Sequence, residues 1–398
     1  MKRVLFVFIA MFCFAGIARA GENLEFSEIL ENEGLAAGVA WLQLQNPDAQ
    51  NQFLLGGVQA LRSIEHILQV RFDNYSGELP FVPGGQSILR ANPNAIFDPA
   101  FVENAMKGAL ERLLQSGEYL KGAVGQDFAV NVDLSKIWFD IDRNGQRGSD
   151  ESLMGMLGML PGIGSVDSKI PVVRFDTADA DWLAAYVHVL AGMAEMVLAI
   201  DPTPAIATVT RGRELLEQAG KIVPDPFFGR DGENLIDSIA VVLTALRGVP
   251  DKTRTRAALE HFRAMISHNK EFWRLVMLES DNEGEWLPNP AQTSAFGVVV
   301  DLKTAKAWQS VLRELSDVLE GRALLPYWRV MSRDGEGEVG INLARLLRDP
   351  GDFDIILMLH GTAIAPFLEQ GRIVDQEVWR EFSQLTGRRW QLFSLWFN

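Results

Sequence analysis

Through the first third of the chain, apolar residues return every three or four positions. Leu35, Val39 and Leu42 form one such run, and Leu54, Val58, Leu61, Ile64, Ile67 and Leu68 form a second. A third lies within Asp98 to Gln115, on Phe101, Ala105, Ala109, Leu113 and Leu114. A spacing near 3.6 puts each set on one face of a helix, so three amphipathic helices are predicted. The stretches GELPFVPGGQ and ANPNAIFDP lie between them, and their Pro, Gly and Asn break regular structure. The same period predicts helices at Asn234 to Leu246, Lys252 to Leu278, Thr304 to Leu319 and Glu377 to Leu385.

The rhythm changes at Phe128, where Phe128, Val130, Val132 and Leu134 alternate with Ala, Asn and Asp, the period of a short strand or extended segment. FGVVVDL, residues 296–302, also reads as strand-like. The longest apolar stretch beyond the first twenty residues is Asp181 to Asp201, which contains His188 and Glu195. It is long enough to cross a bilayer, but an ionised acid near the bilayer centre costs several kcal/mol. We therefore expect a buried central helix, with Asp176, Thr177 and Asp179 supplying its cap and first-turn charge.

The fold class that follows is mainly α, with helical domain or domains and minor β segments. The expected organisation is a signal peptide over 1–20, a helical domain over 21–222 and a second helical region over 223–398. KIVPDPFFGRDGEN marks a weak break between the last two, which can also belong to one domain.

The first twenty residues, MKRVLFVFIAMFCFAGIARA, place Lys2 and Arg3 before an uncharged apolar run and Ala18-Arg19-Ala20 at its end. This is the layout of a secretory signal peptide cleaved after Ala20. Val4 to Ile17 is shorter than the roughly 20 residues of a membrane span. Export to the periplasm or the extracellular space is the expectation, with no stable span in the mature chain. Cys13 is the single cysteine and falls inside this segment, so the mature chain would have neither disulfide nor thiol nucleophile. Cleavage removes three bases and no acid, taking the net charge from −15 to −18. Such a surface disfavours nucleic acid and favours cations.

One stretch carries specific chemistry. In DIDRNGQRGSDE, Asp140, Asp142 and Asn144 occupy positions 1, 3 and 5 of a twelve-residue loop, with Gly145 at 6, Gln146 at 7 and Glu151 at 12. Ca²⁺ takes six to eight hard oxygens at about 2.3–2.6 Å, and alternate residues of a tightly turning loop can all point inward. Gly148, at position 9, has no side-chain oxygen, so a water would complete the shell there. The segment resembles the EF-hand calcium loop over these twelve residues. That resemblance implies a Ca²⁺ held by the side chains of Asp140, Asp142, Asn144 and Glu151 and the carbonyl of Gln146. It departs from the pattern at Arg147, where an aliphatic residue is usual, and in its extended rather than helical approach. No second loop appears, so a solitary strand-loop-helix site is expected, steadying a helix start at Ser149. Ser149, Asp150 and Glu151 would also suit an ordinary helix cap, but this leaves Asp140 and Asp142 unexplained.

Other candidates are weaker. There is no HExxH, GxSxG or GxxxxGK[ST]. GEGEVG, from Gly335, matches GxGxxG in letters only, since its two acids would face a pyrophosphate. His261 and His268, seven apart, share a helix face, as do His188 and Glu195. Either pair reads more simply as hydrogen-bonded interior than as metal ligands or general acid. Ten tryptophans invite a sugar-stacking reading, with EGEW, Glu283 to Trp286, as the best loop candidate. Tyr327, Trp328 and Arg329 form an aromatic-arginine cluster of the kind found at interfaces. RRWQLFSLWFN, at the chain end, is similar. The leading expectation is an exported calcium-binding helical protein with a structural Ca²⁺ site, acting by binding or assembly on a protein or carbohydrate partner. A secreted hydrolase acting on carbohydrate is the alternative, with unassigned catalytic residues.

Overall fold

A computed structural model describes residues 22–75, 90–153, 172–220, 235–295, 299–330 and 338–386. The proposed signal peptide, the first half of GEGEVG (335–337), the Met-rich run after Leu153 and the RRWQLFSLWFN tail lie outside the described residues.

In chain order, α1 (Glu22–Leu42), α2 (Ala49–Asn74) and α3 (Phe101–Leu120) are the three amphipathic helices. They lead to β1 (Ala129–Asp133) and, beyond the acidic loop, to β2 (Val172–Asp176). Then come α4 (Thr177–Ile200), α5 (Thr203–Ala219), α6 (Leu235–Ala245), β3 (Arg247–Gly248) and α7 (Lys252–Val276). The last third holds α8 (Leu302–Glu320), β4 (Leu325–Pro326), β5 (Val339–Ile341), α9 (Leu343–Arg348) and β6 (Phe353–Asp354). It closes with α10 (Ile355–His360), β7 (Leu368–Gln370) and α11 (Gln376–Thr386). The fold is mainly α, with short antiparallel pairings β1–β2, β3–β6 and β4–β5–β7.

At the centre is α4. Asp176 accepts from the Ala178 N–H at 3.1 Å while Asp179 accepts from the Asp176 N–H at 2.9 Å, a reciprocal cap that starts the helix. Trp182, Leu183, Tyr186, Leu190, Ala191 and Ala194 are all buried, because α3 and α7 pack on it. Its length and composition would suit a membrane span, and two thirds of its most apolar window is buried inside the protein. The helix expected at Asp181 to Asp201 is thus a buried one. The main core cluster runs from Phe26 to Phe382, drawing on residues from both sides of position 222. On its far side Trp308 of α8 donates its indole N–H to Asn269 of α7 at 2.9 Å and packs on Phe382 of α11.

Two expectations fail. Of the strand-like FGVVVDL, residues 296–298 lie outside the described residues, and Val299 and Val300 are not strand; Val300 turns inward, Val299 stays exposed, and Asp301 caps α8 through the Thr304 N–H at 2.7 Å. Nor does a helix start at Ser149, which lies in a turn.

The β1–β2 hairpin is joined to the helices by Phe53 of α2, which is fully buried and sits 4.9 Å from the ring of Phe128 and 5.6 Å from that of Phe175. Phe53→Ala should cost about 3–5 kcal/mol, read as a lowered midpoint in urea denaturation. A loss below about 1 kcal/mol would show that this side chain does not tie the hairpin down.

Candidate metal centre

The acidic loop is a hairpin whose ends are clamped. Trp138 and Ser152 form an antiparallel bridge, with Phe139 N–H donating to the Glu151 carbonyl at 2.9 Å and Leu153 N–H to that of Ile137 at 3.1 Å. This explains the correction at Ser149: residues 151–153 are held extended against 137–139, and the first helical residue is Leu153.

The loop is also anchored on two helices. At Gly34 α1 leaves helical geometry (φ 82°, ψ −173°), which only glycine adopts without strain. A kink interrupts the hydrogen-bond ladder one turn back. The carbonyls there, Leu30 and Glu31, accept the indole N–H of buried Trp138 at 2.8 and 3.1 Å. From α2, Gln69 donates to the Asp140 carbonyl at 2.8 Å and Glu65 accepts from the Asp140 N–H at 3.1 Å. Burial pushes the Glu65 carboxyl up to about 7. With both backbone groups of Asp140 fixed, its carboxylate is left to the loop.

Inside the loop, the chain turns through positive φ at Arg143 (58°) and Gly145 (69°). The Gly145 N–H donates to both Asp140 carboxylate oxygens at 3.3 and 3.2 Å. Asp142 accepts from the Asn144 backbone N–H at 3.2 Å, and the Asn144 side-chain oxygen accepts from the Gln146 N–H at 2.6 Å. Glu151 is 1% exposed and accepts from the N–H groups of Ile141 at 3.0 Å and Gly148 at 2.6 Å. Burial raises its pKa. Carboxylate oxygens of Asp140, Asp142 and Glu151 lie within 4.8 Å of one another, close enough to share one ion. Asn144 and Gln146 are exposed on the same turn. Arg90 pairs with Asp142, and Arg143 with Asp73 at 2.7 Å, so two cations border the acids. Arg147, the departure at position 8, reaches back to the Ser135 carbonyl at 3.0 Å.

A second acidic group was not foreseen. Asp176, Glu279 and Asp281 also bring carboxylate oxygens within 4.8 Å, but these acids already have work. Asp176 caps α4, Asp281 pairs with Arg174 at 2.5 Å, and Glu279 accepts from Gln292 at 3.1 Å. Burial, then repulsion from Asp176, lifts Glu279 to about 7. About a hundred residues separate its members, and the only sequence signal was the long polar loop 280–294. Within that loop Trp286 is 4% exposed, packed against Phe175 and Trp182, so EGEW offers no ring for stacking on a sugar.

The histidine pairs meet each other. Asp181, His188 and Glu195 on α4 face Arg254, His261 and His268 on α7, each set spaced by seven. His268 Nδ1 lies 2.6 Å from Asp181 Oδ1, His188 Nδ1 lies 2.9 Å from His261 Nδ1, and Arg254 donates to Glu195 at 2.7 Å. The His188 and His268 rings stack at 5.6 Å. Among the described residues, only the two carboxylate groups above have metal-holding spacing, so the histidines form a hydrogen-bonded seam. No protein-family model, curated protein or solved structure matches this chain.

Burial, reinforced by the neighbouring His261 and His268, lowers His188 from its ordinary value to about 4. A depressed folded-state pKa contributes stability that is present above the unfolded value near 6.5 and is lost as pH falls toward 4. Between pH 7 and 4.5 the native protein should lose roughly 2 kcal/mol more than His188→Asn in urea denaturation. Equal losses in both would contradict the buried neutral imidazole.

Proposed function

We propose that this protein is an exported, mainly helical calcium-binding protein. It holds one Ca²⁺ in the 140–151 loop to fix local structure, and acts by binding a protein partner. The observation that carries the reading is the prior arrangement of the loop. Three carboxylates converge, the Gly145 N–H already lies on Asp140, and the ends are clamped by the 137–139 and 151–153 pairing. Ca²⁺ would draw oxygens from Asp140, Asp142, Asn144 and Glu151, the Gln146 carbonyl and water, replacing repulsion among acids with attraction to a shared cation. The excess of acid over base in the sequence fits cation-rich surroundings outside the cytoplasm.

Support for action by binding comes from the Tyr327–Arg329 cluster. The Tyr327 hydroxyl donates to the Met358 carbonyl at 2.8 Å and Arg329 to that of His360, which docks this segment beside α10. Trp328 is 73% exposed, and Ile356 and Leu359 more than half exposed, so an apolar patch faces outward there. Trp286, the ring that favoured a carbohydrate hydrolase, is interior.

Titration calorimetry tests the ion. The native chain should bind one Ca²⁺ per molecule, Glu151→Gln should weaken binding at least tenfold, and Arg90→Gln, which removes a competing cation from Asp142, should tighten it a few-fold. At a hundred times Kd, Ca²⁺ should also add about 2.7 kcal/mol to stability. Heats unchanged between the native chain and Glu151→Gln would overturn the assignment.

A further inference from the structure

The polar seam between α4 and α7 does not end inside the protein. At Asp181 it reaches a hollow of ≈ 800 Å³ between α7 and α8, lined by Asp181, His268, Lys270, Gln309, Arg313 and Met277 among others. This is within the roughly 300–1,000 Å³ range of small-molecule pockets.

Two features of this hollow are unusual for an acidic chain. First, Lys270 and Arg313, from neighbouring helices, are exposed and form no ion pair among the described residues; Arg313 donates only to the Ser310 hydroxyl, at 2.7 Å. Partial burial and the nearby Arg322 and Arg313 hold the Lys270 ammonium below its ordinary pKa, against the pull of Asp317. Cations left unpaired beside each other in a protein of net charge −15 leave a local positive field. Second, the side chain of Asp181 is 2% exposed, and its Oδ2 is buried without a hydrogen-bond partner. Its Oδ1 accepts from His268 Nδ1–H at 2.6 Å, which fixes that tautomer and directs the other ring nitrogen away from the acid. His268 stacks on His188, and its Nε2 makes no hydrogen bond among the described residues, although the ring is 28% exposed.

We propose that this hollow binds a small organic oxyanion, with Lys270 and Arg313 taking its charge and the Asp181-held His268 imidazole hydrogen-bonding it through Nε2. Lys270 and Arg313 lie on adjacent helices, so one phosphate or carboxylate group can bridge them, and Gln309 adds an amide donor. The volume leaves room for an organic body beyond the anion, against Met277. The site shares no residue with the 140–151 loop and does not depend on calcium.

The test is titration of the full chain, carrying ¹⁵N-labelled histidine, with inorganic phosphate and separately with acetate at constant ionic strength. A saturable shift of the His268 Nε2 resonance is expected with at least one of them, and the tighter anion identifies a phosphate-bearing or a carboxylate-bearing ligand. In Lys270→Gln/Arg313→Gln, two exposed substitutions that leave the core intact, the apparent Kd should rise at least tenfold. Absence of a saturable shift with both anions, or an unchanged Kd in the double variant, would overturn the proposal.

Discussion

The burial of α4 governs this molecule. A helix apolar on nearly every face cannot sit at a protein surface, and with Cys13 as its single cysteine the chain can form no internal disulfide and is held together by packing. α3 and α7 both pack on α4, α2 backs α3, α8 packs on α7, and α11 packs on α8. The cost of that arrangement is the polar seam, because Asp181 and Glu195 are buried and His188 half-buried with the rest of the helix. Each finds a partner on α7 at the matching heptad position. A sliding of α7 by one turn would leave several ionisable groups buried without partners, so the seam fixes the register of the two longest-packed helices.

The acidic loop depends on the same core at one remove. β2 runs directly into α4, and β1 pairs with β2 along its full length from Ala129 against Asp176 to Asp133 against Val172. The chain then passes through Trp138, seated in the kink of α1, to Asp140, whose backbone is gripped by α2. The loop's carboxylates converge because β1, α1 and α2 together position its entry, and because Glu151 returns to pair with Phe139. Such rigidity on the scaffold side favours a structural role for an ion, since little of the loop is left free to move in response to it.

Much of this was legible in the sequence, where one physical signal dominated. The 3.6 period located α3, α7 and α8 to within a few residues because each has one buried face, and α2 as well, although it is buried all round from Phe53 to Leu61. It did not locate α5, where only Ala205 and Ile206 are buried and no stripe exists to be seen. The period-2 run at Phe128 gave β1, since Val130 and Val132 do point inward. Val299 and Val300 carried the same residue types but lead into the cap of α8 at Asp301 without pairing as strand. The loop's ligand spacing is local and could be read directly. The convergence of Asp176 with Glu279, and of His188 with His261, is a product of tertiary packing that no local pattern encodes. The seven-residue spacing of both histidine pairs was visible, but not that they lie on facing helices.

The loop's central claim is that five residues within twelve share one Ca²⁺. The most direct measurement is diffraction from crystals grown in CaCl₂, using the anomalous signal to locate the ion. The proposal predicts one strong peak enclosed by Asp140, Asp142, Asn144, the Gln146 carbonyl and Glu151, at about 2.3–2.6 Å from their oxygens. A peak at Asp176, Glu279 and Asp281 instead, or none within the loop, would contradict it.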